Sequence, residues 1–116
     1  MKLFFAMTLL ATPAFAQDAD GICPGAPDHA AEEAEIIAQL QKAADDLQAR
    51  PLADQLWRLW TDAPDAKAQA LLDEGVAKRE GYDFLGARDT FDTLVEYCPD
   101  YAEGYNQRAF ASFLRQ

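Results

Sequence analysis

Apolar residues recur at three- and four-residue intervals through most of this chain, and that period admits helices and excludes a sheet. Ile36, Ile37, Leu40, Ala43, Ala44 and Leu47 are spaced in this way, and so are Leu71, Leu72, Gly75 and Val76. Such spacing puts one apolar stripe on each helix, to be buried against a neighbour. No segment alternates apolar and polar residues with β-branched enrichment, so the sequence predicts no strands.

Prolines and capping residues divide the pattern into five helices. The first begins at Asp28, an N-cap, with Glu32, Glu33 and Glu35 near the positive end of its dipole. It is expected to end before Pro51, because the residue preceding a proline is driven out of the α region. Pro51 then opens a second helix carrying Leu52, Leu56, Trp57, Leu59 and Trp60, whose two indoles are expected in the core. The third runs from about Asp65 to Glu80 and turns at Gly81-Tyr82-Asp83. Asp83 caps a fourth, which carries Leu85, Ala87, Phe91, Leu94 and Val95 and stops at Cys98-Pro99. A fifth follows Asp100 with Tyr105, Ala109, Phe110, Phe113 and Leu114.

Residues 1–16 have the three parts of a secretory signal peptide: Lys2, the apolar run Leu3 to Leu10, and small residues at Ala14 and Ala16 after Pro13. The apolar run is too short to span a bilayer. Cleavage after Ala16 is expected to leave a periplasmic or secreted chain from Gln17, with no membrane association. Residues 17–27 hold Gly21, Pro24, Gly25 and Pro27 and read as an extended linker before an N-terminal helical pair at 28–64. The formal net charge is −10, and Lys2 is the one charged residue before Gln17, so the processed chain carries −11. A surface so acidic repels nucleic acid, whose binding depends on Lys and Arg meeting phosphates. The two cysteines, Cys23 and Cys98, allow one intramolecular disulfide, which export favours. Free thiols, or a metal held with His29, are the alternatives.

From residue 65 to 116 the helices carry a further pattern. Counted as a 34-residue unit from Ala68, Leu71 stands at position 4, Gly75 at 8, Ala87 at 20, Phe91 at 24, Leu94 at 27 and Pro99 at 32. This resembles the tetratricopeptide repeat. Gly75 and Ala87 let two antiparallel helices approach closely, Phe91 fills the space beside them, and Pro99 ends the second helix. Glu74 and Lys78 depart from the pattern, standing where Leu and Tyr are usual. One full unit covers 68–101, and a partial second covers 102–116 with Tyr105 and Ala109 at positions 4 and 8. With the stretches Gln55 to Asp65 (QLWRLWTDAPD) and Tyr97 to Ala109 (YCPDYAEGYNQRA), the chain is similar to exported tetratricopeptide repeat proteins of α-proteobacteria. The resemblance implies an all-α fold of antiparallel helix hairpins, an α-solenoid fragment in the periplasm that binds protein.

In such repeats the first helix of each unit lines a concave groove at positions 2, 5, 9 and 12. Carried over, these are Gln69, Leu72, Val76 and Arg79, then Glu103, Asn106, Phe110 and Phe113. They suit an extended or helical peptide of an unnamed protein partner. Repeat helices bury their faces only against neighbours, so Phe110, Phe113 and Leu114 are expected to be partly uncovered. That exposure is consistent with truncation of a longer array, with capping by the N-terminal helices, or with self-association through the patch.

No motif reads as catalytic, and neither cofactor nor metal is expected. His29 is the one histidine, and it reads as a solvated first-turn residue with no Ser or Cys nucleophile beside it. Cys23 and Cys98 do not form a CxxC pair, and no glycine-rich phosphate loop is present. The functional expectation is a non-catalytic interaction scaffold. The rival readings are a self-assembling structural module and a small redox or enzymatic protein.

Overall fold

Side-chain caps set where the helices start. In the computed structural model, which describes residues 21–116, five α-helices follow one another: α1 (Ala30–Leu40), α2 (Asp46–Trp60), α3 (Ala66–Glu80), α4 (Phe84–Tyr97) and α5 (Ala102–Leu114). No strand occurs among the described residues. The fold is all-α, made of antiparallel hairpins of tetratricopeptide repeat type. The signal-peptide reading falls on residues outside those described.

The first two helices differ from expectation at their junction. α1 ends at Leu40, and α2 opens at Asp46, so Pro51 lies inside α2. Asp45 decides this. Its carboxylate accepts the Gln48 N–H at 3.0 Å, while Gln48 Oε1 accepts the Ala44 N–H at 3.2 Å. This reciprocal arrangement resembles a capping box and closes the helix start firmly. Proline only biases the residue before it, and the one backbone bond it removes would have gone to Leu47. Leu47 is 82% exposed, in open surroundings, and is not part of the buried stripe. Ile37 is also largely exposed, so the core side of α1 is centred on Ile36, with Leu56 the buried residue of α2.

The main core lies among α3, α4 and α5. Ala68, Leu72, Ala87, Phe91, Leu94 and Ala111 are all buried there. Gly75 is what lets α3 reach α4: a Cβ at that position would lie 2.6 Å from Phe91 Cζ and 2.8 Å from Cδ1. The two departures from the repeat pattern are accommodated in polar form. Glu74 lies on the exposed side of α3 and pairs with Lys78 at 2.7 Å. Lys78 then donates to Thr90 Oγ1 on α4 at 2.9 Å, so a hydrogen bond joins the helices where the pattern has an aromatic contact.

The α3–α4 turn is a Schellman motif. Asp83 N–H reaches Lys78 O at 2.9 Å and Tyr82 N–H reaches Arg79 O at 3.1 Å. The left-handed position falls on Tyr82 (φ 64°), not on Gly81 (φ −81°). Asp83 caps α4 through the Gly86 N–H at 2.9 Å.

Asp65 caps α3 through the Ala68 N–H at 2.8 Å and accepts the Tyr97 hydroxyl at 2.6 Å. The Ala68 bond first, and the Tyr97 bond second, hold its carboxyl below the usual range of 3.8. A depressed folded-state pKa gives a contribution that is complete above about pH 4 and fades as pH falls through the folded value. Asp65→Ala is expected to cost about 1 kcal/mol at neutral pH. In urea melts at pH 7 and pH 3, the gap between parent and variant should be larger at pH 7. An equal gap at both would show that the carboxylate's charge plays no part.

Two tethers join the N-terminal segment to the repeat. Cys23 is bonded to Cys98, whose side of the bridge is 2% exposed within the core. Tyr101 donates its hydroxyl to the Trp60 carbonyl at 2.8 Å. Ala63 enters the same core, and Gln69 Oε1 accepts its N–H at 3.1 Å.

Candidate functional site

α3 and α5 carry the eight positions that the repeat spacing leads one to expect in a groove. Two of the eight are buried. Leu72 is 1% exposed and packs with Phe91 and Leu94. Glu103 is 6% exposed, its carboxylate taken up by Asn106 Nδ2 at 3.1 Å and Gln107 Nε2 at 2.7 Å. Both therefore leave the groove. Gln69 is committed to Ala63 and Asp73, and Val76 is half-buried against the core.

The other four form an open strip. The Arg79 guanidinium carbon lies 4.9 Å from the centroid of the Phe110 ring, which links α3 to α5. Arg79 Nε is buried and has no hydrogen-bond partner among the described residues. Asn106 is exposed, as are Phe110 (43%) and Phe113 (66%), and Leu114 is partly so. The expected uncovering of this end of α5 is what the structure shows.

A second feature escaped the sequence reading. A cleft of about 470 Å³ opens where residues 26–33, the end of α2 and the start of α5 converge. His29 Nε2 lies 2.8 Å from Asp62 Oδ2 across it, and Trp60 Nε1 donates to Glu33 Oε1 at 3.0 Å. His29 is thus paired and half-buried rather than a freely solvated first-turn residue. The indoles are corrected too. Trp57 and Trp60 are 43% and 42% exposed, because α1 covers only the Leu56 side of α2 and leaves their rings at its rim. Trp60 is a wall of the cleft. Burial chiefly, then the charges of Glu103, Asp62 and Asp73, raises the Tyr101 pKa strongly. That phenol stays protonated and serves as a structural donor. Among the described residues no Ser, Thr, Cys or Lys lines the cleft beside the His29–Asp62 pair.

Asp28, His29, Glu33, Asp62, Asp100, Glu103 and Asn106 are among the polar residues that line the cleft, and they come from three parts of the chain. The aromatic density of QLWRLW is the one hint of it in the sequence, and by helical spacing alone that density points to core packing.

Comparison with known proteins gives one informative match. Over 42 residues the chain is 48% identical to a protein of Nematostella vectensis named tetratricopeptide repeat protein 36 homolog. The matched stretch is 36% of this chain and 23% of that relative, so the chain spans under a quarter of the relative's length. No family model matches the chain. No solved structure matches it.

Proposed function

We propose that this chain is an exported, non-catalytic scaffold that holds a protein or peptide partner in the groove between α3 and α5, and that it is of the α-proteobacterial periplasmic kind. The observation that carries this is the open strip of Arg79, Asn106, Phe110 and Phe113, where exposed aromatic rings lie beside a guanidinium. Exposed aromatic and arginine side chains are the residue types that dominate binding energy at interfaces. The name of the Nematostella relative agrees with a helical-repeat interaction module. Export rests on residues 1–16, with Lys2, the Leu3–Leu10 run and Ala14-Phe15-Ala16. Among the described residues no helix is long and apolar enough to cross a membrane.

The test expresses the full chain with a C-terminal tag in an α-proteobacterial host and cross-links the periplasmic fraction. N-terminal sequencing should begin at Gln17. Arg79→Ala and Phe113→Ala should each reduce recovery of a specific partner about tenfold, with unchanged helical circular dichroism. A partner retained in full by both variants would refute the groove, and an uncleaved cytoplasmic product would refute export.

A further inference from the structure

We propose that the cleft between the N-terminal segment and α5 receives a lysine or arginine side chain from a basic segment of the protein partner. This rests on the reading of the chain as a peptide-binding scaffold, and names the partner's chemistry.

Charge complementarity carries the argument. Among the described residues five carboxylates line the cleft, those of Asp28, Glu33, Asp62, Asp100 and Glu103, and no Lys or Arg does. The local excess is therefore more acidic than the chain as a whole, which holds ten basic residues against twenty acidic ones. Glu103 is the informative member. It is almost fully buried, yet its hydrogen bonds come from the neutral amides of Asn106 and Gln107, and no ion pair forms to it among the described residues. Those amide donors compensate the burial of the carboxylate but leave its charge unneutralised. Asp100, exposed at the rim, has no side-chain partner among the described residues.

The shape fits the same occupant. Leu59 and Trp60 give the cleft an apolar wall, and its volume accommodates a long side chain with adjoining backbone. Lysine and arginine have aliphatic stems that pack on apolar surface and a cationic head that seeks carboxylate. A guanidinium also stacks on an indole such as Trp60. Asn106 lies both on the cleft and on the open strip of α5, so one extended segment spans the two.

The test is calorimetric titration of the full-length processed chain in 0.1 M salt with three probes. These are a dodecapeptide carrying four Lys or Arg residues separated by Gly and Ser, its copy with Gln at those four places, and spermidine. The basic peptide should bind, and the Gln copy should bind at least about tenfold more weakly. Asp100→Asn and Glu103→Gln should each weaken the basic peptide about fivefold. Asp89→Asn makes the same change in net charge on exposed α4 surface away from the cleft, and should leave affinity unchanged. Asp100 makes no structural bond, so its variant reports on binding even if Glu103→Gln perturbs folding. Equal weakening by Asp89→Asn would reduce the effect to bulk charge and overturn the proposal. Spermidine binding as tightly as the peptide would overturn it in favour of a small-cation site. The cross-linked partner separates the two readings. If Arg79→Ala and Phe113→Ala lose it while Asp100→Asn and Glu103→Gln retain it, the cleft proposal fails and the scaffold stands. If all four retain it, the scaffold reading fails.

Discussion

Phe91→Ala is expected to destabilise the protein by about 3–5 kcal/mol, enough to remove most of the stability of a domain whose total is about 5–15 kcal/mol. The ring is completely buried at the junction of α3 and α4, surrounded by Leu72, Ala87 and Leu94. Truncation loses its transfer energy and leaves a cavity that a rigid helix pair cannot close. Urea melts followed at 222 nm should show a large drop in midpoint, with partial unfolding already in buffer.

The geometry at Gly75 makes a sharper companion test. A leucine there has to displace the Phe91 ring, because even a bare Cβ overlaps ring atoms. Gly75→Leu is expected to cost about 1–3 kcal/mol in the parent chain. With Phe91→Ala the space is vacant, and the same change should cost less by about 0.5–3 kcal/mol. Additive costs would mean that the close approach of Gly75 to Phe91 is not what holds α3 on α4.

Loss of the Cys23–Cys98 bond is the second large effect. The cysteines are 75 positions apart, so the bridge closes a loop containing α1 to α4, with α5 outside it. In the chain-entropy model such a loop restricts the unfolded state by about 4 kcal/mol. Cys23→Ser is the cleaner variant, since Cys23 is only half-buried and Cys98 is in the core, where a hydroxyl would be left without water. The variant should retain its helices at 25 °C but melt at distinctly lower urea. Dithiothreitol should shift the parent to the same midpoint and leave the variant unmoved. A parent midpoint unaffected by full reduction would show that the bridge does not restrict the unfolded chain.

How far the structure could be read from the residues depended on the range of the interactions that decide each part. α3, α4 and the start of α5 were readable because their signals are local. Asp65 and Asp83 each cap the helix that begins next to them, and Pro99 stops α4 within two residues. The fit of Gly75 and Ala87 to Phe91 was readable because a fixed repeat spacing encodes it. The α1–α2 junction was misplaced because two local signals compete there, and the Asp45–Gln48 cap outweighs the bias from Pro51. The proposed groove was half readable. Arg79, Asn106, Phe110 and Phe113 follow from spacing, but the burial of Leu72 and Glu103 depends on what other segments place over them.

The sequence by itself determined the helical class, the spacing that brings Gly75 and Ala87 to Phe91, and the pair of cysteines able to form one bridge. These follow from periods, caps and a cysteine count, which act over a few residues or need only one pairing. Tertiary structure alone decided that Trp60, His29 and Glu103 share a cleft. His29 and Asp62 are 33 positions apart, and Trp60 and Tyr101 are 41 apart. No spacing rule spans such distances, because what joins these residues is the packing of the N-terminal segment on α5, held by the disulfide and the Tyr101 hydrogen bond.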